Sequence, residues 1–445
     1  MMSVPPSAKP KGSTKLRNWV VGCFVVCPLV CCGGVALFSR KWVDTLDYSA
    51  DLDNQLAEAK KHGLPMESKE LTVGMTVSAA DNSYPELAKL MKEYPKIEDM
   101  RSEINKYEPS RTEAIPSNIR KYIQRARTIG KFKSLDVKRD YDLGPYVLFP
   151  ELAHMKLLAQ ALGIQAQQDA ANHRADAAIE DLRLIRGIAH QLIHEKILIG
   201  GLVNLGINAT YYRTAATCAG WLESDREAIA KLWSLIAEEN PATDPYGCFL
   251  GEFFIGVTYA RNFQLFGGLK GMRGDYLPDI DPKQVQHAGL PTDMMPRGML
   301  GSFIKHELKL QEIVQSNKNM AVAAKKIDAY MVSVPMTISN TYILVLTPVW
   351  SQAGLAWEKH KLSRVMLLKC IDLIEHKKNG EFPGEIEDIP DTVAGNGTLN
   401  YHRTAGGFVI YSSGLNGKDD GGPKNKTDRR KSDDFGFEYP FVNKS

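Results

Sequence analysis

From Leu152 onward, the apolar positions Leu152, Met155, Ala159, Leu162 and Ala166 recur three or four residues apart. That spacing lines one face of an α-helix, which Pro150 is placed to open. A polar gap at Asn172, His173 and Arg174 separates this stripe from a second one, Ala178, Leu182, Ile185, Ala189 and Leu192. So short a connection makes the two predicted helices antiparallel neighbours. A third, more apolar helix is predicted from about Lys196 to Trp221. Ser224 with Glu227 then forms a capping box ahead of Ile229, Leu232, Trp233 and Ile236. An apolar helix over about 248–266, a Gly-, Pro- and Asp-rich loop from Gly267, and one long helix from Leu300 to Tyr330 complete a helical domain expected over 147–352. No fixed-period repeat signature marks these helices.

The helical period returns in Val365, Met366, Cys370, Leu373 and Ile374, predicting a helix from Leu362 that stops near Asn379 and Gly380. Beyond it, LNYHRTAGGFVIYSSG reads as two strands about a glycine turn, followed by a polar loop and the closing segment DDFGFEYP. Residues 353–445 are therefore expected to form a small α+β unit. Residues 39–146 mix short amphipathic runs, such as SYPELAKLMKEYPKIEDM, with Pro and Gly breaks, and read as a stalk and an irregular first subdomain.

One stretch has no polar face at all. From Trp19 to Phe38 the chain reads WVVGCFVVCPLVCCGGVALF, without a charge. At about 1.5 Å per residue such a helix covers roughly the 30 Å of a bilayer core. Lys9, Lys11, Lys15 and Arg17 precede it in a basic tail over 1–18, Arg40 and Lys41 follow, and the first acid is Asp44. The positive-inside rule then keeps the N-terminus in the cytoplasm and places the body outside. A cleaved signal peptide is the alternative, without a clean small-x-small site; acylation at Cys31 or Cys32 is another, with Val30 or Cys31 where a small residue is usual. The uncharged residues 329–357 could form a second span. Pro335, Pro348 and the polar Thr337, Ser339, Asn340 and Thr341 favour instead a buried, broken element. The expected architecture is mainly α: a transmembrane anchor at 19–38, an exported helical bundle and the α+β tail.

The net charge of +3 adds little, because the first 38 residues carry +4 and leave the body nearly neutral. That balance argues against nucleic acid as a partner. Cys218, Cys248 and Cys370 are too scattered for a disulfide framework and read as small apolar fillers.

The C-terminal matches NGEFPGEIEDI, GGFVIYSSG and DDGG resemble the globular domain of the major pseudopilins of bacterial type II secretion, over about the last 80 residues. The segments FPELAHMKLLAQAL and LIRGIAHQLI are similar to membrane-anchored bacterial exported proteins that carry such a tail. The chain departs from pseudopilins at the membrane segment, where Gly22 is followed by Cys23 and no acid precedes Asp44. Prepilin processing is not expected, and the charged helix around Glu358, Lys359, His360, Lys361 and Arg364 excludes a polymerising membrane stem. The resemblance implies calcium in the C-terminal loop, where Asn416, Asp419, Asp420, Asp428, Asp433 and Asp434 supply hard oxygen ligands. Lys418, Lys424, Lys426, Arg429, Arg430 and Lys431 lie among these acids and offer a salt-paired turn instead.

His190 and His194, four apart and followed by Glu195, carry a rival reading as the metal pair of an envelope hydrolase, although neither HExxH nor HxxEH is matched. No GxSxG, P-loop or dinucleotide signature is present, so no catalytic or cofactor-binding residue is assigned. Gly200, Gly201 and Gly206 read as points of close helix packing. The function expected is a structural or interaction role, with the membrane and envelope proteins as partners and no small-molecule substrate named.

Overall fold

A computed structural model describes residues 46–71, 77–107, 114–238, 242–265, 291, 293–337, 339–340, 343–344, 348–377, 381–395, 397–423 and 433–441. The segment 19–38 and the loop from Gly267 to 290 lie outside the described residues. Among those described, the helices run α1 Leu52–Lys61, α2 Ser68–Leu71, α3 Tyr84–Glu93, α4 Ile97–Lys106 and α5 Ser117–Ile129. They continue as α6 Pro150–Ala171, α7 Ala175–His190, α8 Leu198–Leu222, α9 Arg226–Ala237, α10 Pro245–Arg261, α11 Met294–Ser316, α12 Met320–Ser333 and α13 Pro348–Glu375. Three strands follow, β1 Asn400–Thr404, β2 Gly407–Ser412 and β3 Phe435–Tyr439, in an antiparallel sheet of order β1-β2-β3. The fold is mainly helical with a small C-terminal sheet.

The helical hairpin forms where the two stripes place it. Helices α6 and α7 are joined at Asn172–Arg174, where His173 takes a left-handed φ of 56°. The Arg174 amide donates to the Asp169 carbonyl at 2.8 Å and its guanidinium pairs with the Asp169 carboxylate, so the turn is tied at both levels. Arg127 of α5 makes a two-pronged pair with the buried Asp181 of α7, at 2.8 and 2.7 Å, which holds the irregular N-terminal region against the hairpin. Apolar residues of α3 to α5 share one core with α6 to α9, so these three helices pack against the bundle.

Several expectations shift in detail. The cap of α9 is Asp225, whose carboxylate accepts from the Ala228 amide at 3.0 Å, one residue beyond the expected Ser224. An Asp at this position satisfies the same orphan amide as a Ser and adds charge favourable to the helix N-terminus. Trp233 is 43% exposed, so the inward stripe of α9 is Ile229, Leu232 and Ile236. The single helix expected from Leu300 to Tyr330 is two, because the first ends at Ser316 with Asn317 as its cap and Asn319 caps the next, accepting from the Ala321 and Val322 amides at 2.9 and 3.0 Å. Val365 is likewise 40% exposed. Its helix begins well before Leu362, at Pro348, and the expected boundary at 352/353 falls inside it. The closing segment supplies the third strand, β3.

Helix α13 joins two apolar cores. Its first half inserts Trp350, Ala353 and Trp357 among α10, α11 and α12, and Trp357 Nε1 donates to the Thr243 carbonyl at 2.7 Å. Its second half packs Met366, Cys370 and Ile371 with the bundle and the sheet. Arg364 Nε donates to the Ile236 carbonyl at 2.9 Å, satisfying the C-terminal end of α9. Of the close-packing glycines, Gly201 does lie against Cys248 and Trp357, while Gly206 faces open space apart from Lys156.

The uncharged residues 329–357 divide between the end of α12, the buried Ser339 and Asn340, and the start of α13. Asn340 is held on three sides: its Oδ1 accepts from Ser302 Oγ at 2.5 Å and lies 3.2 Å from His306 Nε2, and its Nδ2 donates to the Pro335 carbonyl at 2.9 Å. Among the described residues, no helix is long and apolar enough to cross a membrane.

Candidate metal centre in the C-terminal loop

The sheet presents its inner face to α13. Phe408 and Tyr439 stack across β2 and β3 with centroids 5.3 Å apart, and Phe382 meets Phe408 edge-on at 4.9 Å. The Tyr439 hydroxyl donates to the Glu223 carboxylate at the end of α8, which fixes the sheet to the bundle. With the sheet held, the loop after β2 and the chain entering β3 must meet at its rim.

Asp391 builds the base of that rim. It is buried, and its carboxylate accepts from the Val393 and Ala394 amides at 3.1 and 3.0 Å, from Ser412 Oγ at 2.9 Å and from the Ser413 amide at 3.0 Å. Ser412 Oγ in turn accepts from the Gly414 amide at 3.1 Å. Gly414 takes a φ of +64°, and a Cβ there would collide with the Asp433 carboxyl, so only glycine lets the two segments approach. Asp391 had no signal in the sequence beyond its place in a polar segment.

Above this base, Asp420, Asp433 and Asp434 converge, with one carboxylate oxygen from each lying within 4.8 Å of the others. Two ligands on opposite sides of a calcium ion at 2.3–2.6 Å stand roughly 4.6–5.2 Å apart, so the three oxygens fit a common ion. Asp434 Oδ2 accepts from the Asp420 and Gly422 amides at 3.0 and 2.9 Å, and Asp433 Oδ2 from the Asn416 amide at 3.0 Å. Asp433 Oδ1 is buried and has no hydrogen-bond partner among the described residues. Burial pushes the Asp434 carboxyl above its ordinary value, against the pull of the two amides.

Two of the other three expected ligands are held by other partners. Asp419 Oδ1 accepts from the Tyr411 hydroxyl and the Gly421 amide, both at 2.8 Å, and these bonds hold the carboxyl below its usual range. Asn416 Oδ1 accepts from the Lys418 amide at 2.6 Å, and its Nδ2 donates to Asp420 Oδ2 at 3.1 Å. Asp428 lies outside the described residues. A cation absent from the expected set also faces the cluster: Lys359 of α13 sits 4.9 Å over the Phe435 ring. Burial lowers its pKa and the field of Asp433 partly restores it.

The rival histidine pair is not on one helix face. Helix α7 stops at His190, and His194 lies beyond it in a turn. Both are exposed at the surface, and partial loss of solvent lowers the pKa of each, with added repulsion from His194 and Arg186 on His190 and from Lys196 on His194. Neutral imidazoles can bind metal, yet the charges beside them are cations. His190 lines a cleft of about 540 Å³ with Lys131, Lys133, Arg183 and Arg186, and Glu238 is already paired to Arg186 at 2.5 Å. Among the described residues, no third His, Cys, Asp or Glu joins the two histidines.

Carboxylates also lie deep in the body. Arg139 reaches Glu151 at 2.6 Å and Glu195 at 3.4 Å in a buried cluster. Glu252 of α10 accepts from the Leu198 amide at 2.9 Å, and burial pushes its pKa up to about 7. Glu307 of α11, fully enclosed, is pushed up to about 8 by burial and by Glu252. Cys218, Cys248 and Cys370 are buried thiols whose pKa values burial raises, as fits inert filling.

No family model, curated protein or solved structure matches the chain.

Proposed function

We propose that this protein is a membrane-anchored, extracytoplasmic structural or interaction protein, with the helical body as scaffold and the C-terminal sheet as a calcium-pinned module. The convergence of Asp420, Asp433 and Asp434, with Asp433 Oδ1 buried and lacking a hydrogen-bond partner among the described residues, carries this reading. A buried carboxylate oxygen with no donor costs free energy that a divalent cation would recover. Calcium would be held by Asp420, Asp433 and Asp434 and would join the loop after β2 to the strand entering β3. The pseudopilin-like motifs and the uncharged segment 19–38 support the same placement outside the membrane. Its role there is a structural or interaction one, near envelope or secretion assemblies.

The test is thermal unfolding of the full chain with millimolar calcium and with chelator. A ligand bound only by the folded state stabilises it by about 2.7 kcal/mol at a hundred times its Kd. The midpoint is expected to rise with calcium in the unaltered protein and to stay fixed in Asp433→Asn. An unaltered protein whose midpoint ignores calcium contradicts the proposal.

A further inference from the structure

Residues 46–50 form a helical turn seated on α11, with the Tyr48 carbonyl against Gly301, where a Cβ would collide with it. Lys305 Nζ lies 5.2 Å over the Tyr48 ring. The next residue on α11, His306, places Nδ1 2.6 Å from the Tyr330 hydroxyl. The start of the body and the end of α12 therefore share one flank. On that flank Leu46 is 50% exposed, Val332 89% and Met336 84%. Val332 and Met336 project from a stretch of sequence without charge.

The tether indicates what covers them. Leu46 follows the end of the uncharged segment, Phe38, by eight residues, a reach of at most roughly 29 Å for extended chain. Arg40, Lys41 and Trp42 lie in that interval, and Tyr48, Lys305 and Tyr330 beside the patch are the residue types that settle at a membrane–water interface. We infer that the flank carrying Leu46, Val332 and Met336 rests on the lipid surface from which residues 19–38 emerge, with Val332 and Met336 entering the headgroup region. The inference rests on the anchor proposed above. Asp47 and Asp328, both exposed, border the patch and limit insertion to the tip from Val332 to Met336.

The test places the full chain in phosphatidylethanolamine–phosphatidylglycerol nanodiscs, with Cys23, Cys27, Cys31 and Cys32 replaced by alanine. Nitroxide labels are attached at Val332→Cys, Met336→Cys and, as a control, Glu385→Cys. The buried Cys218, Cys248 and Cys370 are shielded from the reagent. Labels at 332 and 336 are expected to be relaxed more by oxygen than by a water-soluble nickel complex, and the label at 385 the reverse. If all three are equally open to nickel while the protein co-elutes with the nanodisc, the docking is wrong and the anchor stands. If the protein does not co-elute with nanodiscs, both fall.

Discussion

Carboxylates meet two different environments in this molecule. Where α10 meets α11, beside the core that holds the stacked Phe253 and Phe303, Glu307 is fully buried and Glu252 half-buried, and burial favours the protonated form of both. At the rim of the sheet, Asp391, Asp419, Asp420, Asp433 and Asp434 are surrounded by backbone amides, hydroxyls and glycines. The acids are chemically alike, so the difference lies in what surrounds each charge. Fixed dipoles can hold an anion ready for a cation, whereas an apolar cavity removes the charge.

The largest expected effect comes from the apolar side of that comparison. Because Glu252 and Glu307 hold protons in the folded state at pH values where the unfolded chain has lost them, stability must fall as pH rises from about 4.5 through 7 and 8. Summed over both groups, the loss is at most about 8 kcal/mol. Urea unfolding from pH 4 to 9 should trace it, and Glu307→Gln should flatten the slope. A flat profile in the unaltered protein would mean that both groups are solvated.

Next in size is Asp391→Ala, which leaves four donors without their acceptor and should cost about 2–3 kcal/mol. Amide exchange at Val393, Ala394 and Ser413 should accelerate, and unchanged protection there would show that the rim does not depend on this carboxylate. A smaller effect is expected from Lys359→Gln, which removes a cation near Asp433 and should tighten calcium a few-fold by titration calorimetry. Weaker binding would instead make Lys359 part of the site's support. Replacing His190 and His194 by alanine should leave bound zinc unchanged and shift stability by no more than about 0.5 kcal/mol, since both are exposed. Loss of a bound zinc would revive the hydrolase reading.

Much of the helical order was legible from the sequence, because burial of one face imposes a 3.6-residue period on α7, while α6 is buried on nearly every side and its stripe is one part of that buried surface. The same period cannot show where a polar residue breaks it. Asn317–Asn319 splits the helix expected from Leu300 to Tyr330, and apolar Val365 and Trp233, which the period assigns to the core, face outward. At the loop, composition pointed to the acids and not to their partners. Which three converge depends on the close approach at Gly414, and Asp391 and Lys359 come from distant segments that no local spacing connects. His190 and His194 mislead for the converse reason, since the i, i+4 rule holds only while the helix continues.

We propose that the body is displayed outside the membrane that residues 19–38 would span. Glu385→Cys, on the exposed segment before β1, tests it in intact spheroplasts with a membrane-impermeant maleimide, in a chain whose span cysteines are replaced by alanine and whose body cysteines are buried. Labelling from outside before lysis is the predicted result. Protection until the membrane is broken would place the body in the cytoplasm and contradict the account.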